Sequence, residues 1–237
     1  MIPVYITVHN RLTFTRGMVE YLLACPGIKP IIVDNASSYP PLLDWYSCGG
    51  CPVQVIRRAT NGGPRAAWEH FGLDEYAYYA VTDCDLDLSR CPIDLVQHLI
   101  KGLVKHPAYC KAGLSLALDD LPSKSPLYQE IHDIEDKYWS KPLDSEWFDA
   151  NVDTTFAVYR GFAAPCLYGP ALRSGAPYTA RHLPWYTLPG QETPEEIYYL
   201  DHLEFQSGLY WSVRQKETNH AALHHLPLPD VQTTPTS

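Results

Sequence analysis

An α/β fold, one domain with a mostly parallel central sheet flanked by helices, follows from three features of this chain. Apolar, β-branched runs alternate with helix-patterned segments from the first residues onward, the order that parallel crossovers require. The early strands each end in a polar cluster, at Thr7 to Arg11, Asp34 to Ser38, Asn61 to Arg65 and Asp83 to Asp87. A length of 237 residues, 46% of them hydrophobic, is enough for one substantial core.

Pro3 to Val8 is β-branched and predicts a strand, and Thr13 to Ala24 carries Met18, Val19, Leu22 and Leu23 at helical spacing before Pro26-Gly27 ends it. Lys29 to Val33 is a short continuous apolar run, as a strand covered on both faces requires. A short helix is expected around Leu42 to Tyr46, a strand at Val53 to Ile56, and a helix from about Ala66 to Gly72. Pro92 opens a helix over Ile93 to Lys105, and Lys111 to Leu118 reads as a further strand. Tyr128 to Pro142 is expected to be helical and then irregular, Asn151 to Tyr159 a strand, and Pro170 to Tyr186 a loop. A last amphipathic helix is expected from about Glu195 to Tyr210, and residues 224–237, rich in proline and threonine, read as a disordered tail. No internal repeat or domain linker interrupts the chain.

The most informative stretch is Tyr76 to Leu88, an aromatic strand-like run that ends in Asp83, Asp85 and Asp87. In an extended chain, alternate residues share a face, so the three carboxylates would stack together. Like charges at that spacing repel unless a cation neutralises them, and hard oxygen ligands suit Mg²⁺ or Mn²⁺. A solvated acidic loop is the alternative. The hydrophobic lead-in and the two preceding β-α units favour a metal and diphosphate site, because ligands in such sheets bind beyond the carboxyl ends of the strands.

The formal charge of −9 argues against a nucleic-acid-wrapping surface, so nucleic-acid binding is not expected. No apolar run reaches the ~20 residues that span a bilayer, and no signal peptide opens the chain. Seven scattered cysteines suit a reducing compartment better than a disulfide framework. A cytoplasmic protein, soluble or peripheral, is therefore expected. Cys48-Gly-Gly-Cys51 lacks a second ligand pair for zinc and reads as a loop with free thiols.

Thr7-Val8-His9-Asn10-Arg11, Val33-Asp34-Asn35-Ala36-Ser37, Asn61-Gly62-Gly63 and Val81-Thr82-Asp83-Cys84-Asp85 together resemble the nucleotide-sugar half of family 2-like glycosyltransferases of the GT-A fold. Val152 to Phe156 and Ala180 to Tyr186 are similar to a smaller bacterial and viral branch of such enzymes. The resemblance implies a Rossmann-like GT-A domain over residues 1–223, with a nucleotide-sugar half (1–118) and an acceptor half (119–223). It implies a metal-dependent transfer of sugar from a UDP- or GDP-linked donor to a glycan or other hydroxyl acceptor. The usual acidic motif ahead of the last helices is not plainly present.

On that resemblance, Thr7, Val8, His9, Asn10 and Arg11 line the base and ribose, and Asp34 accepts from the nucleobase N–H. Asn61 and Gly62 admit close backbone approach, and Arg65 pairs with diphosphate or base. Asp83, Cys84 and Asp85 complete the donor site, with Asp85 on the cation and Asp83 on the ribose or on the metal through water. Asp87 supports them or caps the next turn. His182 is the further metal ligand, for which a neutral imidazole suits Mn²⁺. For inversion a carboxylate must take the acceptor proton; Asp153 is the first candidate, then Asp120 and Asp119, with Asp149 also considered. Asp119, Trp185 and Tyr186 are assigned to the acceptor, and Trp139 and Trp147 are further stacking faces. Retention of configuration is an alternative, as is a sugar-nucleotide-binding module without chemistry. A nucleotidyltransferase is disfavoured because residues 5–20 hold no glycine loop.

Overall fold

The sheet is built outward from β1 (Ile2–Val8), whose Val4, Ile6 and Val8 are fully buried. The computed structural model describes residues 1–68, 76–153, 155–161 and 169–203. After β1 come α1 (Leu12–Ala24), β2 (Ile28–Asp34), α2 (Pro40–Ser47), β3 (Gln54–Arg57) and a 3-10 turn at Gly63–Trp68. Then follow β4 (Tyr78–Asp83), β5 (Leu86–Asp87), α3 (Leu95–Lys105) and β6 (Lys111–Leu116). The second half adds α4 (Tyr128–Glu135), β7 (Trp147–Asp149), β8 (Ala157–Arg160), β9 (Ala171–His182) and α5 (Pro194–Asp201).

The sheet order is β3-β2-β1-β4-β8-β6-β9-β5, with β7 also paired to β9. β1, β2, β3 and β4 pair in parallel, which is the Rossmann-like half expected from the sequence. β8 is inserted antiparallel between β4 and β6, while β6 and β9 run parallel. The carboxyl ends of β1, β2, β3, β4, β6 and β9 therefore share one edge. The fold class is the expected one: α/β, a single sheet, helices against it.

Several local expectations are corrected. The aspartate segment is not one strand: β4 stops at Asp83, and Leu86–Asp87 leaves to pair with His182 and Arg181 of β9. Residues 170–186, expected to be a loop, contain the 12-residue β9. Its ladder with β6 jumps from Leu114↔Ser174 to Ser115↔Thr179, so Gly175 to Tyr178 bulge out and Pro177 sits where no ladder hydrogen bond is required. β8 begins only at Ala157, leaving Asn151 to Asp153 off the sheet. Of the helix expected near residues 66–72, the described part is a 3-10 turn ending at Trp68, and residues 69–72 lie outside the described set. So do the expected continuation of the last helix beyond residue 203 and the tail at 224–237.

Beneath α3, Trp147 fills the space over Gly102, where an added Cβ would meet the indole at 2.4 Å. His98 is stacked between Trp147 and Tyr178, with ring centroids 4.6 and 3.6 Å away. Trp147, a stacking-face candidate from the sequence, is thus part of the core. Cys25, Cys48, Cys51, Cys84 and Cys91 are free, but Cys110 is disulfide-bonded, which corrects the expectation of reduced thiols. Sequence spacing could not show that folding sets Cys110 beside Pro170, whose carbonyl accepts its N–H at 3.1 Å.

Candidate functional site at the carboxyl edge of the sheet

Three asparagines tie the first strand ends together. Asn10, at φ +53, accepts with Oδ1 from the N–H groups of Ser38 (2.7 Å) and Tyr39 (2.9 Å), and its own N–H donates to Ser37 Oγ (2.9 Å). Asn35 donates through Nδ2 to Asn61 Oδ1 (2.6 Å) and Gly63 O (3.0 Å), and accepts with Oδ1 from Gly62 N–H (2.8 Å). Its backbone N–H reaches Val8 O at 2.7 Å. His9 adds Nδ1 at 2.9 Å from Asn35 O. Asn10 and Ala36 (φ +59) both lie in the left-handed region, which costs a non-glycine residue about 1–2 kcal/mol. Such strain persists where surrounding contacts hold it, and it concentrates at functional edges.

Asp34 closes the end of β2. It is fully buried, with Arg57 Nε at 3.3 Å and the Tyr46 hydroxyl at 3.5 Å. Burial, then the Asp34 charge, push the Tyr46 phenol well above its ordinary range.

The three aspartates of the central stretch have separate fates because the chain turns between β4 and β5. Asp85 Oδ2 takes the buried Arg11 Nη1 at 2.6 Å, and His182 Nε2 lies 3.6 Å from the same oxygen. The pairing of Leu86 with His182 brings that imidazole to the aspartate. Burial alone would raise the Asp85 pKa, but His182 and Arg11 overcome it and hold the carboxyl well below the usual range. Cys84 beside them is a buried thiol pushed up to about 12, chiefly by desolvation. Asp87 accepts from Ser89 N–H (2.8 Å), capping its turn, and pairs with Arg181 Nη1 at 3.3 Å. Asp83 ends β4, opposite Thr7 of β1.

Around Asp85 several buried polar atoms have no hydrogen-bond partner: Asp85 Oδ1, Arg11 Nε, His182 Nδ1 and Thr7 Oγ1. Buried polar groups are nearly always satisfied, so these atoms are candidates for contact with a polar ligand, although orphaned atoms also occur away from this edge, at Gln97 Oε1 and His98 Nε2. α5 covers it. The Tyr199 ring lies 3.7 Å from Arg11 Cζ, and the Tyr198 hydroxyl donates to Ser38 Oγ at 3.1 Å. Glu195 caps α1, accepting from Thr13 N–H at 3.0 and 3.1 Å, a favourable anion at a helix N-terminus. Beside that cap a cavity of about 250 Å³ opens between Thr13, Tyr186 and Glu196.

The acceptor-side candidates are divided. Asp120 is bound by Arg181, by Arg90 (2.8 Å) and by the Tyr186 hydroxyl (2.9 Å). Asp119 is exposed, with Arg90 at 3.8 Å. Trp185 is buried edge-on against His182, with centroids 4.8 Å apart. Asp153 is exposed. Asp149, opposite Leu172 near the start of β9, lies at the other edge of the sheet. Trp139 packs on Phe148. Arg65 is exposed, within the 3-10 turn Gly63–Trp68. Sequence reading assigned no role to Asn35, Ser37, Ser38, Tyr46, Tyr199 or Glu195; Asn35, Ser37 and Ser38, inside the polar cluster after the second strand, gave a signal.

No protein-family model matches the chain, and no curated protein matches it. Among solved structures it is similar to glucosyl-3-phosphoglycerate synthase from Mycobacterium tuberculosis in complex with phosphoglyceric acid. The TM-score is 0.42 and the identity 11%, over 67% of this chain and 56% of that one. This chain thus spans little more than half of that protein's length.

Asp85 and His182 offer two donors to a divalent cation, although Asp85 Oδ2 also takes the Arg11 guanidinium at 2.6 Å. Two donors on ~2.1 Å octahedral bonds stand about 3.0 Å apart when adjacent, and Asp85 Oδ2 and His182 Nε2 are 3.6 Å apart, within reach of a small side-chain shift. Among the described residues no group of three His, Cys, Asp or Glu side chains is placed to hold a metal. The protein would supply two donors, and phosphate oxygens and water the rest. No helix among them is long and apolar enough to cross a membrane.

Proposed function

We propose that this protein is a glycosyltransferase that moves a sugar from a UDP- or GDP-linked donor to an acceptor hydroxyl, with Mn²⁺ or Mg²⁺ as cofactor. The observation that carries the reading is the cluster of unsatisfied buried atoms around Asp85, at the edge where six strand ends converge. Arg11 Nε is a buried donor left for a diphosphate oxygen, and Asp85 and His182 would hold the cation. When bound, that cation would stabilise negative charge gathering on the departing diphosphate.

The remaining work falls to the chain itself. Asn10, Asn35 and Asn61 shape the strand-end loops and leave backbone groups to face the nucleoside. Asp34 is shut off by Arg57 and Tyr46, and the Arg57 side chain, 54% exposed, is the one free to swing away when a nucleobase arrives. Asp120, held by two arginines and a tyrosine, is less suited to take a proton than the exposed Asp153. We assign the base role to Asp153: it accepts the acceptor's proton as the oxygen attacks the anomeric carbon. Asp119, Trp185 and Tyr186 border the acceptor side. The test is calorimetric titration with UDP and GDP in the presence and absence of Mn²⁺, with metal-dependent binding of one nucleotide expected.

A further inference from the structure

We propose that Lys111 and Arg173 are positioning residues that fix the backbone carrying Asp153. The inference rests on the assignment of Asp153 as the base. Lys111 of β6 and Arg173 of β9 are each 1% exposed. Lys111 Nζ donates to Val152 O at 2.6 Å, and Arg173 Nε to Asn151 O at 2.7 Å. Between them Val152 is seated on Gly113, where an added Cβ would meet Val152 Cγ1 at 2.6 Å and the Phe156 carbonyl oxygen at 2.9 Å. Gly113 lies opposite Arg173 in the ladder, and Lys111 is two residues away on the same face. Three neighbouring positions on two strands thus grip two consecutive residues, Asn151 and Val152.

A loop that merely joins β7 to β8 does not need this. Each buried cation carries a desolvation penalty, and a glycine weakens a strand interior. Arg173 offsets its penalty with Glu135 Oε2 at 2.7 Å and the Tyr138 ring at 3.9 Å. Burial lowers the Lys111 pKa, against the pull of Asp153. What these groups hold in place is the backbone immediately before an exposed carboxylate. Because β8 runs antiparallel and Ala157 faces Val81, the residues ahead of Ala157 lie at the edge where β4 ends in Asp83. The backbone leading to the carboxylate is therefore held by buried groups on both β6 and β9.

The reaction is followed with water as acceptor. The water oxygen attacks the anomeric carbon, the bond from that carbon to the diphosphate oxygen breaks, and Asp153 takes the proton. Free sugar and nucleoside diphosphate are released. Release of UDP from UDP-glucose and of GDP from GDP-mannose with Mn²⁺ is compared for wild type, Lys111→Met, Arg173→Met, Asp153→Asn and the double variants. A misplacement of about 1 Å can cost on the order of 100-fold in rate, so each cation variant should lose about 10- to 100-fold in kcat, with KM within about twofold. In the Asp153→Asn background the same changes should cost nothing more, since their effect acts through that carboxylate.

Equal losses in both backgrounds, or an unchanged kcat in a folded variant, would overturn the proposal. If either cation variant fails to fold, Gly113→Ala enters the same cycle: it keeps both charges and displaces Val152, with the same expectation. Nucleotide binding separates the two levels. A wild type that binds neither UDP nor GDP removes the transferase reading and this proposal together. A wild type that binds and turns over, with uncoupled variants, removes the positioning role alone.

Discussion

Asp85→Ala would leave the Arg11 guanidinium, with its side chain only 4% exposed, without its anion. Removing one partner of a buried pair typically costs about 3–5 kcal/mol, because the remaining charge stays desolvated. Arg11 keeps the Tyr199 ring face at 3.7 Å and the Phe14 ring at 5.2 Å, and a partly desolvated cation–π contact contributes about 0.5–2 kcal/mol. The lower end of the range is therefore expected. At about 2–4 °C per kcal/mol for a chain of this size, Asp85→Ala should lower Tm by about 6–12 °C. Thermal denaturation followed by circular dichroism measures it. The double variant Arg11→Met with Asp85→Leu should recover most of the loss, since apolar groups of similar volume avoid the desolvation penalty. A Tm for Asp85→Ala within about 2 °C of wild type would refute the reasoning, because a solvated Arg11 loses little with its partner.

Two further outcomes follow from the packing under α3. Gly102→Ala gains about 1 kcal/mol of helix propensity but drives a methyl into the Trp147 ring, and overpacking costs about 1–3 kcal/mol; with backbone on one side and a buried indole on the other, net destabilisation in urea unfolding is expected, and a more stable variant would contradict the fit. His98 has its pKa lowered by burial, against the opposing pull of Glu146 and Asp94. The unfolded chain therefore takes the proton first, so stability should fall as pH drops through about 6.5. Urea titrations from pH 7.5 to 5 should show this fall in wild type and a flatter profile in His98→Phe.

The parallel half of the fold was legible because β1, β2 and β4 are continuous apolar runs that end in polar clusters, a pattern local to the chain. β9 was not. Gly175 and Pro177 punctuate it like a loop, and only the bulge against Leu114 and Ser115 shows how the ladder passes them. In the site, Asp85 and His182 could be named from motif residues, yet their meeting depends on β5 crossing to β9. An alternating pattern in one strand could not reveal that. Arg11 was placed at the site as a nucleoside contact, whereas the structure sets it against Asp85. Buried charge pairs leave no period in sequence, which is why Arg11–Asp85 and Arg173–Glu135 were invisible until the elements were assembled.

The central claim is a donor site built on Asp85, and calorimetric titration of UDP and GDP with and without Mn²⁺ tests it most directly. The variant for comparison is Asp85→Asn, which keeps the side-chain volume and is assayed at a temperature where it remains folded. The account predicts that wild type binds one of the two nucleotides in a Mn²⁺-dependent manner and that the folded variant loses that metal dependence. Binding of neither nucleotide by the wild type, or equal Mn²⁺-dependent binding by wild type and Asp85→Asn, would contradict it.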